Sequence, residues 1–117
     1  MQANQFMKRL YQAVDEKSLD KLSLFLADQV NFKLANFPST QGKVAVLEAN
    51  KAFFTSIQSM QHRLDNIWQV EGGLICHGEV SYIRLDQTKT SANFATILKL
   101  EDDKIVDYLV YADLSQL

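Results

Sequence analysis

Two side chains of this sequence could take part in acid–base chemistry, and they lie far apart along the chain. His62 falls in a predicted strand and could exchange a proton near neutral pH, where an imidazole ordinarily titrates. Asp113 follows the last predicted strand and could serve as a pocket acid. Each also has a structural interpretation: His62 as a packed strand residue, and Asp113 as a cap that accepts a bond from a nearby amide. The catalytic residues are therefore unknown from the sequence, with Asp113 and His62 as candidates.

The remaining reactive side chains lack the neighbours that their chemistry requires. His77 and Glu79 alternate onto one face of a predicted strand, as two metal ligands could, but the sequence offers no evident third ligand. Cys76 points to the opposite face, and a thiolate nucleophile needs an adjacent base or a positive field. We therefore predict no metal site and no cofactor, and we interpret Cys76 as an inert buried thiol. No glycine-rich phosphate loop or serine nucleophile elbow is present in the sequence.

The composition indicates one ordinary globular domain. Of the 117 residues, 47% are hydrophobic and 22% are charged, with a net charge of −2. Lys and Arg are spread among acidic residues, which argues against a nucleic-acid surface. The single cysteine excludes an internal disulfide, and no signal peptide or membrane-spanning apolar run is evident. We predict a single cytoplasmic domain over residues 1–117 that binds neither nucleic acid nor membrane.

Hydrophobic periodicity predicts helices first and strands afterwards. A period near 3.6 predicts helices over about 4–15, capped by Asn4, and about 43–57, the latter apolar around much of its girth. Between them a short helix capped by Ser18 runs to 28–29, and alternation over 30–34 predicts a strand. Later strands at 61–70, 74–85, 91–100 and 105–112 are joined by short turns. The fold class is thus α+β, with three helices from the N-terminal half packed on the concave face of a curved, mostly antiparallel sheet.

The outer face of this sheet also carries apolar side chains. In the strand at 91–100, Ala95 and Ile97 point to one face while Phe94 and Leu98 point to the other. Because the helices cover only the concave face, we predict a homodimer through the outer face. The alternative is that these are scattered surface residues that need no partner.

Several short motifs follow the order of the predicted elements. They are Glu16-Lys17-Ser18-Leu19-Asp20, Leu26-Ala27-Asp28-Gln29-Val30-Asn31-Phe32, Pro38 with Gly42-Lys43, Gly78-Glu79-Val80-Ser81-Tyr82, and Asp103-Lys104-Ile105-Val106-Asp107-Tyr108 with Tyr111-Ala112-Asp113. With this element order they resemble the nuclear transport factor 2-like superfamily, and most closely its SnoaL-like proteins. This superfamily of cone-shaped, cystatin-like folds includes SnoaL-type polyketide cyclases, ketosteroid isomerase and limonene epoxide hydrolase. The resemblance covers nearly the whole chain and implies a pocket between the helices and the concave sheet.

The resemblance also implies where the catalytic groups of such enzymes would fall in this chain. A gap-free match to ketosteroid isomerase places its donor tyrosine at Leu10, its base carboxylate at Leu34 and its protonated acid at Thr96. The last-strand carboxylate of the epoxide hydrolase falls near Val110. Neither catalytic set is reproduced, so we expect Leu10 and Leu34 to make the hollow apolar.

These expectations leave three functional hypotheses open. The leading one is a homodimeric domain that binds a small apolar molecule in the cone, without a recognisable catalytic set. The second is an isomerase, cyclase or dehydratase acting through Asp113 or His62, and the third is a structural dimer module. Each aromatic among the predicted binding residues could equally be plain core, and alternation places Trp68 on the same face as His62. The predicted ligand-binding residues are Tyr108, Tyr82, Trp68, Phe94, Leu34, Leu10 and Val110.

Overall fold

A computed structural model describes residues 2–117 as three helices and one six-stranded sheet. The strands lie in the order β2-β1-β6-β5-β4-β3, and every neighbouring pair is antiparallel except β1 with β6. The predicted α+β class with a mostly antiparallel sheet is confirmed. The elements are α1 (Ala3–Asp15), α2 (Leu19–Ser23), β1 (Leu26–Leu34), β2 (Thr40–Gln41), α3 (Lys43–Thr55), β3 (Ile57–Val70), β4 (Gly73–Arg84), β5 (Lys89–Glu101) and β6 (Lys104–Ala112).

The end of α1 is tied to the start of β3, and this contact sets the geometry of the site described below. Lys17 adopts a left-handed conformation with φ 56°, which stops the helix. Its Nζ donates to the carbonyl oxygens of Ile57 and Gln58 at 2.8 and 2.9 Å. At its other end α1 begins at Ala3, so the prediction of Asn4 as its cap is wrong.

The second helix is shorter than predicted because the chain turns into the sheet. Ser18 caps it as predicted, accepting from the backbone N–H of Lys21 at 3.2 Å. The helix ends at Ser23 rather than at 28–29, and β1 begins at Leu26, opposite Ile105 of β6. The gain from pairing with β6 outweighs the helical periodicity of residues 24–29.

The third helix does not bury the wide apolar face that its composition suggests. Its buried residues are Val46, Asn50 and Phe54, whereas Val44 is 78% exposed. Asn50 is accommodated in the interior because its Nδ2 donates to the Val46 carbonyl at 2.9 Å.

A β-bulge between Leu64 and Asn66 reverses the alternation of β3. Before it, His62 pairs with Val80 on the inner face of the sheet; after it, Trp68 pairs with Ile75 on the outer face. The prediction that His62 and Trp68 share a face is therefore wrong, because one extra residue changes the parity of everything that follows.

Gly78 of β4 makes this bulge possible. A Cβ at this position would lie 1.7 Å from the Arg63 carbonyl oxygen, closer than any real contact. The backbones of β3 and β4 approach one another where Gly78 lies, and only glycine leaves the space.

Within residues 2–117, the structure has no helix long and apolar enough to cross a membrane.

Candidate functional site

A small cavity lies between α1, α3 and the inner face of the sheet. Its volume is about 40 Å³. On this measure it holds about three water molecules, since one needs roughly 10–15 Å³. Its wall is mainly aliphatic and aromatic, and its polar groups come from Tyr11, Asn50, His62, Tyr82 and Tyr108. This is the pattern of an apolar small-molecule site with a few placed polar groups.

Most of the predicted ligand-binding residues lie in the wall of this cavity, but two do not. Leu10 is fully buried in the core beside it, and the next residue, Tyr11, lines the cavity instead. One residue along a helix rotates the side chain by about 100°, so the gap-free match placed the wrong residue in the hollow. Trp68 is 49% exposed on the outer face, stacked on His77 at 5.5 Å between ring centroids. The predicted residues found in the wall are Leu34, Tyr82, Phe94, Tyr108 and Val110.

His62 lies in the cavity wall and is held there by Asp15, the last residue of α1. Asp15 Oδ1 lies 2.5 Å from His62 Nδ1, and its Oδ2 accepts the backbone N–H of His62 at 2.9 Å. The His62 side chain is only 7% exposed, and its ring packs against Tyr11 and Phe94 with centroid distances of 4.4 and 5.0 Å. The hollow therefore contains an imidazole with a carboxylate behind it, contrary to the leading expectation of a mainly apolar hollow without a recognisable catalytic set.

The contact with Asp15 fixes which nitrogen of the His62 ring carries the proton. An ionised carboxylate can only accept hydrogen bonds, so in the neutral ring the proton sits on Nδ1 and the lone pair on Nε2. Among residues 2–117, no hydrogen bond engages Nε2, and since none of the fully buried side-chain nitrogens or oxygens lacks a partner, Nε2 is open to water or a ligand. Nε2 is thus the atom able to accept a proton.

Two tyrosine hydroxyls provide neutral hydrogen-bonding groups at the cavity. Burial raises the pKa of Tyr11 and of Tyr108 well above the ordinary phenol value, so both stay protonated at physiological pH. The Tyr11 hydroxyl forms a hydrogen bond with the hydroxyl of Thr96, which is fully buried. When Thr96 is the donor of that bond, the phenol protons of Tyr11 and Tyr108 are both available to a carbonyl or enolate oxygen.

Asp113 lies outside the cavity, on the surface beyond β6. It is exposed, and its Oδ1 accepts the backbone N–H of Ser115 at 3.0 Å. Hydrogen bonding from Ser115 lowers the pKa of the Asp113 carboxyl. This is the capping arrangement named above as its structural interpretation, and the cavity wall is formed instead by the next residue, Leu114.

The thiol and the outer-face histidine do not add a second reactive centre. Burial raises the pKa of the Cys76 thiol to about 11, which disfavours a thiolate. His77 bonds to Asn66 on the outer face at 3.2 Å. Within the described residues 2–117, no three His, Cys, Asp or Glu side chains are grouped so as to hold a metal ion.

Asp15 and Tyr11 are the functional candidates that the sequence analysis missed. Tyr11 could have been found, because Met7, Tyr11 and Val14 follow the same helical spacing as the apolar stripe. Asp15 carried no comparable signal, since its partner lies 47 residues away in a different element.

Comparison with known proteins agrees with this architecture. A model of the SnoaL-like domain family matches residues 7–108. The chain belongs to the SnoaL-like domain family. The resemblance to the nuclear transport factor 2-like superfamily is thereby confirmed, although no curated protein matches this SnoaL-like protein.

Solved structures share the fold of this SnoaL-like protein at low sequence identity. An NTF2-like protein of unknown function from Burkholderia pseudomallei is 16% identical with a TM-score of 0.88, covering 99% of this chain and 95% of that one. Another, from Exiguobacterium sp. 255-15, is 22% identical with a TM-score of 0.80, covering 94% and 99%. An LEH-like epoxide hydrolase from M. tuberculosis is 12% identical with a TM-score of 0.82, covering 96% and 83%. At these identities the likeness shows the fold alone.

Proposed function

We propose that this SnoaL-like protein is an acid–base enzyme of isomerase, cyclase or dehydratase type that acts on a small, mainly apolar carbonyl compound in the cavity. The observation that carries the proposal is the partly buried contact of 2.5 Å between His62 Nδ1 and Asp15 Oδ1. A histidine backed by a carboxylate is a recurrent general base, because the carboxylate orients the ring and stabilises the imidazolium that forms.

The proposed step is proton abstraction from the carbon next to the carbonyl group. His62 Nε2 takes the proton, the C–H electron pair moves into a carbon–carbon double bond, and the carbonyl π electrons move to the oxygen. Tyr11 and Tyr108 donate hydrogen bonds to that oxygen while its charge develops. The imidazolium then returns the proton to the same carbon, or to the γ-carbon when the compound is β,γ-unsaturated and forms a dienolate, which restores neutral His62. In this proposal Asp113 takes no part.

Binding without catalysis is the second candidate, and the apolar character of the wall favours it. Leu34, Phe94 and Val110 offer contact area but no chemistry. Filling such a site would stabilise the protein whether or not a proton moves.

One experiment separates the two candidates. Proton NMR in D₂O follows exchange of the α-hydrogens of 2-butanone, with and without enzyme. We expect the wild-type protein to accelerate exchange and His62→Gln to lose about 10²-fold or more of that rate, while Asp113→Asn keeps it. Equal exchange by wild type and His62→Gln, with 2-butanone still bound, would establish the binding role instead.

We also propose that the protein is a homodimer through the outer face of the sheet. Trp68, Ile75, Ile97 and Leu109 lie in register as one row across four neighbouring strands. Trp68 and Ile97 are 49% and 39% exposed. A second copy would cover this apolar row, and a two-fold axis would place it against itself.

A cytoplasmic location completes the proposal. It is supported by Cys76, which is a free and buried thiol. Fractionation of the native host that finds the protein outside the cytoplasm would contradict this location.

A further inference from the structure

A second and larger hollow adjoins the cavity where the 35–39 loop faces α3. We call it the outer groove, and its volume is about 550 Å³. One hydrogen bond joins the loop to β1, where Lys33 Nζ donates to the Phe37 carbonyl oxygen at 2.6 Å. The outer groove is lined by Phe37, Pro38, Ser39, Thr40, Ala49, Ala52 and Ser56 together with Phe32, Leu34 and Phe53.

The outer groove and the cavity share a wall. Phe32, Leu34 and Phe53 line both spaces. Phe32 is buried and packs edge-on against Tyr108 at 5.1 Å, whereas Phe53 is only half-buried and lies 6.2 Å from Tyr82. The two spaces therefore meet at Phe53 and Leu34, the half-buried side chains of the shared wall.

The lining of the outer groove selects for an uncharged, apolar occupant. No charged side chain contributes to it within residues 2–117, and its polar side chains are the hydroxyls of Ser39, Thr40 and Ser56. Phe37 is 55% exposed there, which leaves an aromatic ring available for contact. An ion placed in this groove would lose hydration without gaining a partner.

The two volumes together define the shape of the ligand. At about 40 Å³ the cavity holds only a few non-hydrogen atoms. The outer groove alone falls within the range of roughly 300–1,000 Å³ that ordinary ligand sites occupy. Another hollow, of about 440 Å³, also adjoins Tyr11 and His62, but Lys8, Asp15 and Glu16 line it. An apolar remainder of the ligand would desolvate those charges there, whereas the outer groove past Phe53 holds none.

We infer that the outer groove is the subsite for the unbranched hydrocarbon tail of the ligand, whose carbonyl end lies in the cavity. The inference rests on the proposed function, because the cavity must take the carbonyl end. It specifies the substrate class as a medium-chain aliphatic carbonyl compound without a charge on its tail.

Binding of a series of methyl ketones from 2-butanone to 2-undecanone, measured by NMR titration, tests the inference. The dissociation constant should fall about threefold to fourfold for each added methylene, the factor that burial of one methylene supplies. Ala52→Glu places a charge in the groove from an exposed helix position. Ala45→Glu, exposed on the same helix and lining neither space, is the matched control.

Each result has a definite meaning. Ala52→Glu should lose the gain in affinity with chain length, while Ala45→Glu keeps both that gain and the wild-type affinity for 2-butanone. If affinity rises with chain length in both variants, the tail does not lie in the outer groove and the inference is overturned. Binding of 2-butanone would still support the cavity as the site of the carbonyl end. If no ketone of any length binds, the proposed function and the inference both fail.

Discussion

Asp15 and His62, 47 residues apart in the sequence, meet at the end of α1, where one carboxylate accepts both the ring Nδ1–H and the backbone N–H of His62. This double contact fixes the backbone and the imidazole of β3 at once. A general base must be oriented to work efficiently, and the orientation here comes from the junction between α1 and β3.

Replacing Asp15 should therefore affect catalysis more than binding. We expect Asp15→Asn to slow exchange of 2-butanone by about 10²-fold, because the amide neither stabilises the imidazolium nor fixes the tautomer. The dissociation constant for the ketone should change less than about threefold. Asp20→Asn, an exposed acid on α2, is the control and should match wild type. Equal rates for Asp15→Asn and Asp20→Asn would remove Asp15 from the mechanism.

The hydrogen bond between Tyr11 and Thr96 should contribute measurably to stability. Thr96→Val keeps the shape but leaves the Tyr11 hydroxyl without this partner, so urea unfolding should show a loss of about 1–3 kcal/mol. Tyr11→Phe removes the other half of the bond. The double variant should lose less than the sum of the two single losses, because they share one interaction. Strict additivity would mean that the two hydroxyls do not interact.

Gly78 should be intolerant of any side chain. Gly78→Ala should lower the free energy of unfolding by about 2–3 kcal/mol, because the new Cβ meets the Arg63 carbonyl at the bulge. Ser81→Ala, at an exposed position of the same strand, is the control. A Gly78→Ala protein as stable as wild type would show that the bulge is not as tight as described.

Stability should decline at alkaline pH. Burial raises the pKa of Cys76 from 9.0 to about 11 and that of Tyr82 from 10.0 to about 12. Between the lower and higher values the folded protein holds protons that the unfolded chain releases. The stabilisation is therefore complete below about pH 9 and is lost as pH rises, by about 1.4 kcal/mol per pH unit for each group.

Urea unfolding from pH 8 to pH 11 checks this dependence. Cys76→Ala changes the overall stability, but the informative quantity is the slope against pH. Between pH 9 and pH 11 the variant should lose stability less steeply than wild type. Parallel slopes would show that the thiol of Cys76 does not contribute.

The outer-face row should control the oligomeric state. Sedimentation of the wild type should show a dimer, and Ile97→Glu should weaken it at least about tenfold, because an unpaired charge would be buried at the centre of the interface. Ser91→Glu lies in the same strand, exposed and away from the row, and should leave the dimer intact. A monomeric wild type would contradict the proposed dimer.

Much of the fold follows from local pattern. Alternation along residues 73–112 predicts the strands to within two residues, and Ser18 caps α2 as its type and position suggest. The family motifs identified the cone and placed Leu34 and Tyr108 in its wall. These features depend on residues close together in the sequence, where periodicity is informative.

The predictions from sequence are wrong where contacts between distant parts of the chain determine which way a side chain points. The bulge at Asp65 turns Trp68 outward, and no residue within β3 predicts this bulge. The residue that could have indicated it is Gly78 on the neighbouring strand. A one-residue difference on α1 exchanged Leu10 for Tyr11, which reversed the chemical character expected of the hollow. The Asp15 contact needed the folded junction, so the sequence could supply His62 only as an unpaired candidate.

The most direct test of the account is a long-range ¹H–¹⁵N NMR spectrum of the histidine rings, recorded where they are neutral, with and without saturating 2-butanone. The chain has two histidines, so His77 on the outer face serves as the internal reference. We predict that His62 carries its proton on Nδ1 and that the ketone shifts its Nε2 resonance while His77 stays unchanged. A proton on Nε2 of His62, or an Nε2 resonance that ignores the bound ketone, would contradict the assignment of His62 as the base of the cavity.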